Sequence, residues 1–349
     1  MPQAHDNVPV LNHFLALPKV DLHRHLEGSL RLATVAELAA RFGVGPDPGD
    51  GSLRAQVQVV DGDPRSWDAF LSKFETLRLL YRTPEIIQRI VDEAIEDAAA
   101  DNVLYLELHF TPAALAQRQG FSTAEIFDWV IDAAGRATAR TGVQVGLIPS
   151  VNRHESVTLA EEVAGLAADR MARGVVGLDL AGNEVEFPAW PFLGIFTSAR
   201  QAGLGITLHA GEWSGPASVR EAIEAMGAAR IAHGGRVMED PDTIALARDH
   251  RTVFEICLTS NLHSGVAPDI DHHPLPRMIE AGLQVTLNTD DPGISAICLS
   301  DEYALAVDRL GLSVESMKGL ILAAAQASFL PGRARQVLES RLLSHFFPA

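Results

Sequence analysis

Short β-rich runs alternate with amphipathic, Ala-rich stretches along most of the chain. Eight such runs predict strands, near residues 18–25, 102–109, 143–151, 175–181, 205–212, 230–234, 252–260 and 284–290. The stretches between them, such as AEEVAGLAADRMA and PASVREAIEAMG, have the apolar spacing of helices that connect parallel strands. Eight repeats of strand and helix predict an α/β fold, a closed (β/α)8 or TIM barrel.

The interval 29–100 is far longer than one connection requires, so it predicts extra helices inserted after the first strand. Its GVGPDPGDGS piece is typical of a loop, whereas SWDAFLSKFETLRLL places Trp67, Phe70, Leu71 and Phe74 on one side of a helix. That apolar side either covers the mouth of the barrel as a lid or packs on its wall. Nothing along the chain resembles a linker, which favours a single domain over residues 1–349.

Composition and charge narrow the class of protein. With 47% hydrophobic and 21% charged residues, the 349-residue chain can bury a large core. A net charge of -17 with scattered Lys and Arg disfavours nucleic acid as a partner. The first residues lack a signal-peptide pattern, and no window of about 18 residues is apolar enough to cross a membrane. The expectation is a cytoplasmic protein that acts on a small molecule.

Histidine and aspartate residues fall at the predicted strand ends. They are His23 and His25 on the first strand, His209 on the fifth, His233 on the sixth, and Asp290 with Asp291 on the eighth. Residues two apart on a strand point the same way, and the carboxyl ends of barrel strands meet at one rim. Each residue alone has an ordinary structural explanation. Burying all of them unpaired would cost several kcal/mol each, so together they indicate a site.

The residue types in this group suit zinc. The chain has only Cys257 and Cys298 and no Cys-x-x-Cys pair, so a metal must be held by His and carboxylate groups. Three imidazoles and one carboxylate are typical of catalytic zinc, whose bound water ionises near neutral pH. Such chemistry also needs an acid and an orienting or basic group, for which Glu212, His233 and Asp291 are available.

The ordered motifs PKVDLHRHLEGSL, LDLAGNE, TLHAGE, RIAHG, CLTSN and TLNTDDP resemble the motif series of the adenosine deaminase family. The resemblance runs from Pro18 to beyond Pro292. It implies a hydrolase of cyclic-amidine C–N bonds that uses zinc to remove the 6-amino group of adenosine, 2′-deoxyadenosine or a related 6-aminopurine nucleoside. The products would be an inosine-type compound and ammonia.

Carried over residue by residue, the resemblance implies one zinc ion per chain and a set of substrate contacts. The zinc ligands would be His23, His25, His209 and Asp290. Glu212 would donate a proton to purine N1, His233 would orient the attacking hydroxide, Asp291 would bond to N7, and the N–H of Gly182 would face N3. His25 and Glu27 complete the predicted contacts with the purine substrate.

Two residues depart from the family's common pattern. Glu27, in HLEG, replaces the Asp that meets the ribose 5′-hydroxyl in adenosine deaminases, and relatives that act on adenine share this Glu. Adenine deaminase and aminodeoxyfutalosine deaminase therefore stay open as alternatives. AMP is disfavoured because no cluster of Arg and Lys lies near the motifs. Leu258 replaces Pro in CLTSN, which alters loop stiffness more than chemistry.

Other readings of the same barrel carry less support. A two-metal amidohydrolase would need a bridging Lys at the end of the fourth strand, and LDLAGNE has none. A non-catalytic binding protein would have no physical reason to keep every ligand, acid and base. His272 and His273 do not lie at a predicted strand end, so we do not expect them to bind metal. The sequence does not predict the oligomeric state.

Overall fold

A computed structural model describes residues 8–45 and 52–348 and contains the eight predicted strands. They are β1 (Lys19–His25), β2 (Val103–Phe110), β3 (Gln144–Asn152), β4 (Gly177–Ala181), β5 (Gly205–His209), β6 (Arg230–Ala232), β7 (Val253–Ile256) and β8 (Gln284–Leu287). The last four end two to four residues before the predicted boundaries. The backbone turns into the left-handed region after β5, β6 and β8, with φ of 66° at Gly211, 60° at His233 and 61° at Asp290.

The strands form one sheet in chain order, and each pairs in parallel with the next. The two ends of the sheet meet through backbone hydrogen bonds. The N–H of His25 donates to the carbonyl of Asp290, and the N–H of Asp290 donates to the carbonyl of His23, both at 2.8 Å. The predicted (β/α)8 barrel is confirmed, and its closure places the start of the chain's motif series beside the end.

Helices surround the barrel and connect its strands. The α-helices are α1 (Val8–Ala16), α2 (Leu32–Phe42), α3 (Ser52–Val57), α4 (Trp67–Leu71), α5 (Lys73–Leu77), α6 (Pro84–Ala100), α7 (Pro112–Ala116), α8 (Thr123–Thr141), α9 (Val157–Asp169), α10 (Leu193–Ala202), α11 (Pro216–Glu224), α12 (Pro241–Asp249), α13 (Leu258–His263), α14 (Leu275–Glu280), α15 (Pro292–Ser295), α16 (Leu299–Leu310), α17 (Val314–Ala327) and α18 (Gly332–Phe346). Short 3₁₀ turns cover Arg78–Leu80, Met171–Arg173, Trp190–Phe192, Gly235–Glu239 and Ile270–His272.

Local sequence signals explain where the longer helices begin and end. Ser122 and Glu125 form a reciprocal capping box at the start of α8, and Gly142 ends that helix in the left-handed conformation. Thr83 caps α6 with Pro84 in its first turn. The apolar faces of α6 and α8 pack on each other and on the barrel, which fixes the wall behind β2.

The insertion after β1 forms α2 to α6, as predicted, but its aromatic segment is not one helix. Ser72 separates α4 from α5, and a 3₁₀ turn follows. Residues 46–51 of the predicted loop GVGPDPGDGS lie outside the described residues. Among the residues that are described, no helix combines the length and the apolar character needed to cross a membrane.

Candidate active site

The structure brings the four predicted metal ligands together at the carboxyl rim of the barrel. Their ligand atoms all lie within 4.8 Å of one another. The Nε2 atom of His25 is 3.1 Å from Nε2 of His23 and 3.3 Å from Nε2 of His209. Asp290 Oδ1 lies 3.3 Å from Nε2 of His23 and 3.5 Å from Nε2 of His25. Strands β1 and β5 and the segment after β8 thus present four donor atoms to one point.

The outer hydrogen bonds of two of these imidazoles test whether the group fits a metal. Nδ1 of His23 lies 2.9 Å from Glu255, and Nδ1 of His209 lies 3.1 Å from Asp179. Because a carboxylate accepts, each Nδ1 carries the hydrogen and each Nε2 turns a lone pair inward. Lone pairs and a carboxylate oxygen converging at these distances repel one another unless a cation lies among them. The donor set therefore fits a metal ion.

A second layer of buried polar groups holds the ligands in place. Arg230 forms short ion pairs with Glu107 and Glu255 inside the barrel. Burial disfavours the charged form of Glu255, but Arg230 and His23 outweigh it and lower the pKa of that carboxyl to about 2. The Ser260 hydroxyl donates to Oδ2 of Asp290 at 2.5 Å. These contacts fix the imidazole of His23 and the carboxylate of Asp290 before any ligand binds.

Sequence reasoning missed these outer residues. Asp179 accepts from His209 and also lies 3.3 Å from Nδ1 of His109, a buried histidine on β2. A usable signal was present, since β4 (GLDLA) and β7 (VFEI) are buried strands that each contain one acidic residue. An acid inside a buried strand requires a partner, although the sequence does not identify which one.

Glu212 lies in the loop after β5, with Oε1 3.8 Å from Nε2 of His233. Its side chain is buried, and burial, followed by the charges of Asp290 and Glu184, raises its pKa well above the ordinary value. A carboxyl group in this state holds a proton that it can donate. Glu212 lines the same cavity as His25, His209 and Asp290, where a protonated carboxyl could act as a general acid.

Glu184, in the LAGNE motif, holds the loop that carries Glu212. Its carboxylate accepts four backbone N–H groups at 2.6–2.9 Å and the Ser218 hydroxyl at 2.6 Å. The four N–H groups belong to Gly211, Glu212, Trp213 and Ser214. Five donors to one buried carboxylate fix the conformation of this loop. Glu184 was not identified from the sequence as a site residue.

His233 and Asp290 each adopt a left-handed backbone conformation, with φ of 60° and 61°. Residues other than glycine rarely adopt this conformation, and it concentrates at functional sites. Both side chains line the cavity, where Nε2 of His233 lies 3.8 Å from Asp290 Oδ2. On its other side, Nδ1 of His233 lies 3.0 Å from the Asn261 amide.

The residues predicted to contact substrate line this cavity, and two of them have a buried polar atom without a hydrogen-bond partner among the described residues. Among the described residues, Oε2 of Glu27 and Oδ1 of Asp291 are buried and have no hydrogen-bond partner. The other oxygen of Glu27 accepts the Thr111 N–H at 2.5 Å, and burial raises the pKa of this carboxyl to about 7. Gly182 also lines the cavity, with φ of 93°.

Gly28 explains how the chain approaches Asp291 so closely. A Cβ atom added at position 28 would lie 1.7 Å from Oδ1 of Asp291. Any side chain there would displace the carboxylate from the cavity. The Gly of HLEG is therefore required by this close approach.

The aromatic segment after β1 contributes to the wall of the cavity. Phe70, Leu71 and Phe74 line it, whereas Trp67 is 38% exposed and packs against Trp213 with ring centroids 5.9 Å apart. The apolar side thus faces the pocket. His272 and His273 were not expected to bind metal. His272 is exposed, and His273 is buried against Asn261, outside the cluster of predicted metal ligands.

Comparison with known proteins finds that this chain is similar to deaminases over most of its length. The family model for adenosine deaminase matches residues 18–345. Adenosine deaminase of Erwinia tasmaniensis is 35% identical over 329 residues, which cover 93% of this chain and 98% of that protein. The Arabidopsis N6-mAMP deaminase structure has a TM-score of 0.85 and 31% identity, covering 95% of this chain and 99% of that one. An adenine deaminase structure from Arthrobacter aurescens has the same TM-score and coverage at 26% identity.

Proposed function

The chain belongs to the adenosine deaminase family and is a hydrolytic deaminase, and from that premise we propose that it binds one zinc ion and removes the 6-amino group of adenosine or 2′-deoxyadenosine. One observation carries the proposal. Nε2 of His23, His25 and His209 and an oxygen of Asp290 converge on one point of a cavity that also contains a buried carboxyl, Glu212. The products are the corresponding 6-oxopurine nucleoside and ammonia.

Zinc is the metal that we propose for this donor set. Three imidazole nitrogens and one carboxylate oxygen match its preferred ligands, and the chain offers no thiolate pair to compete. When bound, zinc lowers the pKa of its water toward neutrality and so supplies a nucleophile for C6 of the purine. The role of the protein is to hold the four ligands and to exclude bulk water from the cavity.

The protein residues account for the proton that the reaction needs. Attack at C6 makes N1 basic, and we assign the delivery of a proton to N1 to Glu212, which lines the cavity. Asp291 in its protonated form donates to N7, which has a lone pair and no hydrogen, through the oxygen that now lacks a partner. We assign the N–H of Gly182 to N3. Water adds to C6. One of its hydrogens restores the proton that Glu212 gave to N1, and the other leaves with the 6-amino group as ammonia.

Glu27 is the residue that we expect to select the group attached to N9 of the purine. Its unpaired Oε2 can accept a hydrogen bond from a ribose hydroxyl, which favours a nucleoside as substrate. A phosphate at the end of the ribose is disfavoured. Arg78 is the single Arg or Lys among the described residues that line the cavity, and Glu27, Glu212 and Asp291 line it too.

Adenine itself is the second candidate, and Glu27 is again the specific observation. The same oxygen could accept the N9–H of free adenine directly, which would leave no room for a sugar. The likeness to the Arthrobacter adenine deaminase structure extends over 95% of this chain, so the fold permits both substrates. Aminodeoxyfutalosine, a nucleoside with a larger group on the ribose, is a third compound to compare.

The test is a comparison of kcat/KM for adenosine, 2′-deoxyadenosine, adenine, aminodeoxyfutalosine and AMP with the zinc-loaded protein. Loss of absorbance near the adenine band follows all five reactions. We expect an adenine nucleoside to be the best substrate by at least tenfold. A site built from unpaired buried groups rejects ligands that leave them unpaired, so the discrimination should be large. Faster turnover of adenine would replace the nucleoside assignment with the second candidate.

A further inference from the structure

A chain of three hydrogen bonds runs from a backbone amide to the proposed active site. The N–H of Leu275 lies 3.1 Å from Nδ1 of His273. Nε2 of His273 lies 3.2 Å from Oδ1 of Asn261, and Nδ2 of Asn261 lies 3.0 Å from Nδ1 of His233. The side chains of His273, Asn261 and His233 are all buried, so water does not offer them alternative partners.

The direction of each bond follows from the first one. A backbone N–H can only donate, so Nδ1 of His273 accepts and bears no hydrogen. Burial lowers the pKa of His273 to about 3, so this imidazole is neutral and its single hydrogen is on Nε2. That N–H donates to Oδ1 of Asn261, which orients the amide so that its NH2 group faces His233.

The last bond then fixes the tautomer of His233. Nδ2 of Asn261 donates, so Nδ1 of His233 accepts and the hydrogen of the neutral imidazole lies on Nε2. Nε2 is the nitrogen that faces the cavity, 3.8 Å from both Glu212 Oε1 and Asp290 Oδ2. The opposite tautomer would require the Asn261 amide to turn over, and the reversed bonds would leave an N–H of His273 pointing at the N–H of Leu275.

We propose that His273 is a positioning residue that acts through Asn261 to hold His233 as the Nε2–H tautomer. His233 then offers the attacking oxygen a hydrogen-bond donor and has no lone pair on Nε2 with which to act as a base. The consequence for turnover rests on the proposed function, whereas the tautomer itself does not. His273 thus has a role in the site although it lies outside the cavity and is not among the four metal ligands.

The experiment is a long-range 1H–15N correlation spectrum of the zinc-loaded protein labelled with 15N-histidine. Such spectra distinguish the protonated ring nitrogen from the unprotonated one. The His233 signals are those absent from His233→Gln. We expect Nε2 of His233 to be protonated and Nδ1 to be unprotonated in the wild type. A wild-type spectrum with the hydrogen on Nδ1 overturns the proposal, and this result needs no variant of His273.

Variants of the two adjacent histidines then test the cause. His273→Phe removes the donor to Asn261, so we expect a second His233 tautomer, unchanged zinc content, and a fall in kcat of about tenfold with KM within about twofold. His273→Gln can place an amide N–H where Nε2 lies and should restore most of kcat. His272→Phe is the matched control and should behave as wild type, because His272 is exposed and its side chain hydrogen-bonds to Asp269 at the surface.

The outcomes separate this proposal from the proposed function. The tautomer is measured without substrate, so a protein that deaminates no purine would refute the function and leave the tautomer result standing. A wild-type Nε2–H tautomer that persists unchanged in His273→Phe would show that His273 does not set it. If His273→Phe does not fold, His273→Leu decides, because it also lacks a donor to Asn261 and an unchanged Nε2–H tautomer there would contradict the proposal.

Discussion

The cavity has a metal side, formed by the four predicted zinc ligands, and a substrate side, formed by the residues predicted to contact the purine. The two sides differ in whether their buried polar atoms have hydrogen-bond partners. On the metal side, Glu255 holds His23 and Asp179 holds His209, while Ser260 donates to Asp290. On the substrate side, buried atoms of Glu27, Asp291 and Trp213 have no partner among the described residues. The protein alone therefore organises the metal side, whereas a ligand must complete the substrate side.

This difference separates reaction from selectivity. A site whose ligands are fixed by outer partners performs the same chemistry whatever is attached to the substrate. A site with unpaired buried groups accepts only ligands that pair them. The metal side should therefore respond to mutation with loss of metal or of turnover, and the substrate side with a change in the preferred ligand.

The largest effect should follow removal of a metal ligand. We expect His23→Ala and Asp290→Ala each to lose the zinc ion and all measurable deaminase activity, because the three remaining donors hold the metal poorly. Elemental analysis of the purified proteins measures the zinc, with His272→Ala as a control that keeps one ion per chain. Two metal ions per chain in the active enzyme, or full activity in the metal-free protein, would disprove the single-zinc site.

Glu212→Gln should break the reaction and leave the metal side intact. The amide has the shape of the carboxyl but cannot deliver a proton to N1, so kcat should fall by about 10²- to 10⁴-fold. Zinc content and the thermal unfolding midpoint should match the wild type. Near-normal kcat would make Glu212 a structural carboxylate and would require another proton donor.

Glu184→Gln tests whether the hydrogen bonds from Glu184 to the loop that carries Glu212 matter for turnover. The substituted amide would turn its NH2 group toward backbone N–H donors that the carboxylate now accepts. A shift of the Glu212 loop by about 1 Å can cost about 10²-fold in rate, so we expect a loss of that size in kcat with KM little changed. Glu186→Gln is the control, because Glu186 is exposed and lies two residues after Glu184 in the loop that follows β4. An equal loss in both variants would point to general destabilisation.

The smallest effect on total activity should come from Glu27→Asp, on the substrate side. If Glu27 serves the ribose, the shorter carboxylate should preserve kcat/KM for adenosine within about threefold, or improve it, because Asp is the residue that meets the ribose 5′-hydroxyl in the family's common pattern. The ratio of adenosine to adenine activity is the measurement, and it is independent of enzyme concentration. A wild type that prefers adenine, with adenine activity collapsing in the variant, would place Glu27 against the base.

Much of the fold and of the metal side could be predicted from the sequence. The strands of a parallel barrel are buried runs of about five residues, and their carboxyl ends meet, so His23, His209 and Asp290 could be grouped without coordinates. The resemblance to a family then supplied roles for Glu212 and Gly182. The break at Ser72 carries no sequence signal that distinguishes it from a continuous helix.

The outer residues could not be predicted in the same way. Asp179 meets His109 and His209 across three strands, and such pairings depend on barrel register, which a single sequence does not encode locally. Leu258 is similar. Its N–H donates to buried Glu302 at 2.6 Å, a bond that the family's proline could not make, and Glu302 is 44 residues further along the chain.

The central claim is that water replaces the 6-amino group of an adenine nucleoside at this site. Incubating adenosine with the one-zinc protein in 18O-labelled water, and analysing the products by mass spectrometry and an ammonia assay, tests it most directly. The account predicts inosine with one solvent oxygen atom at C6 and one equivalent of ammonia, and no such product from Glu212→Gln in the same time. Unchanged adenosine in the presence of the one-zinc wild type would contradict it.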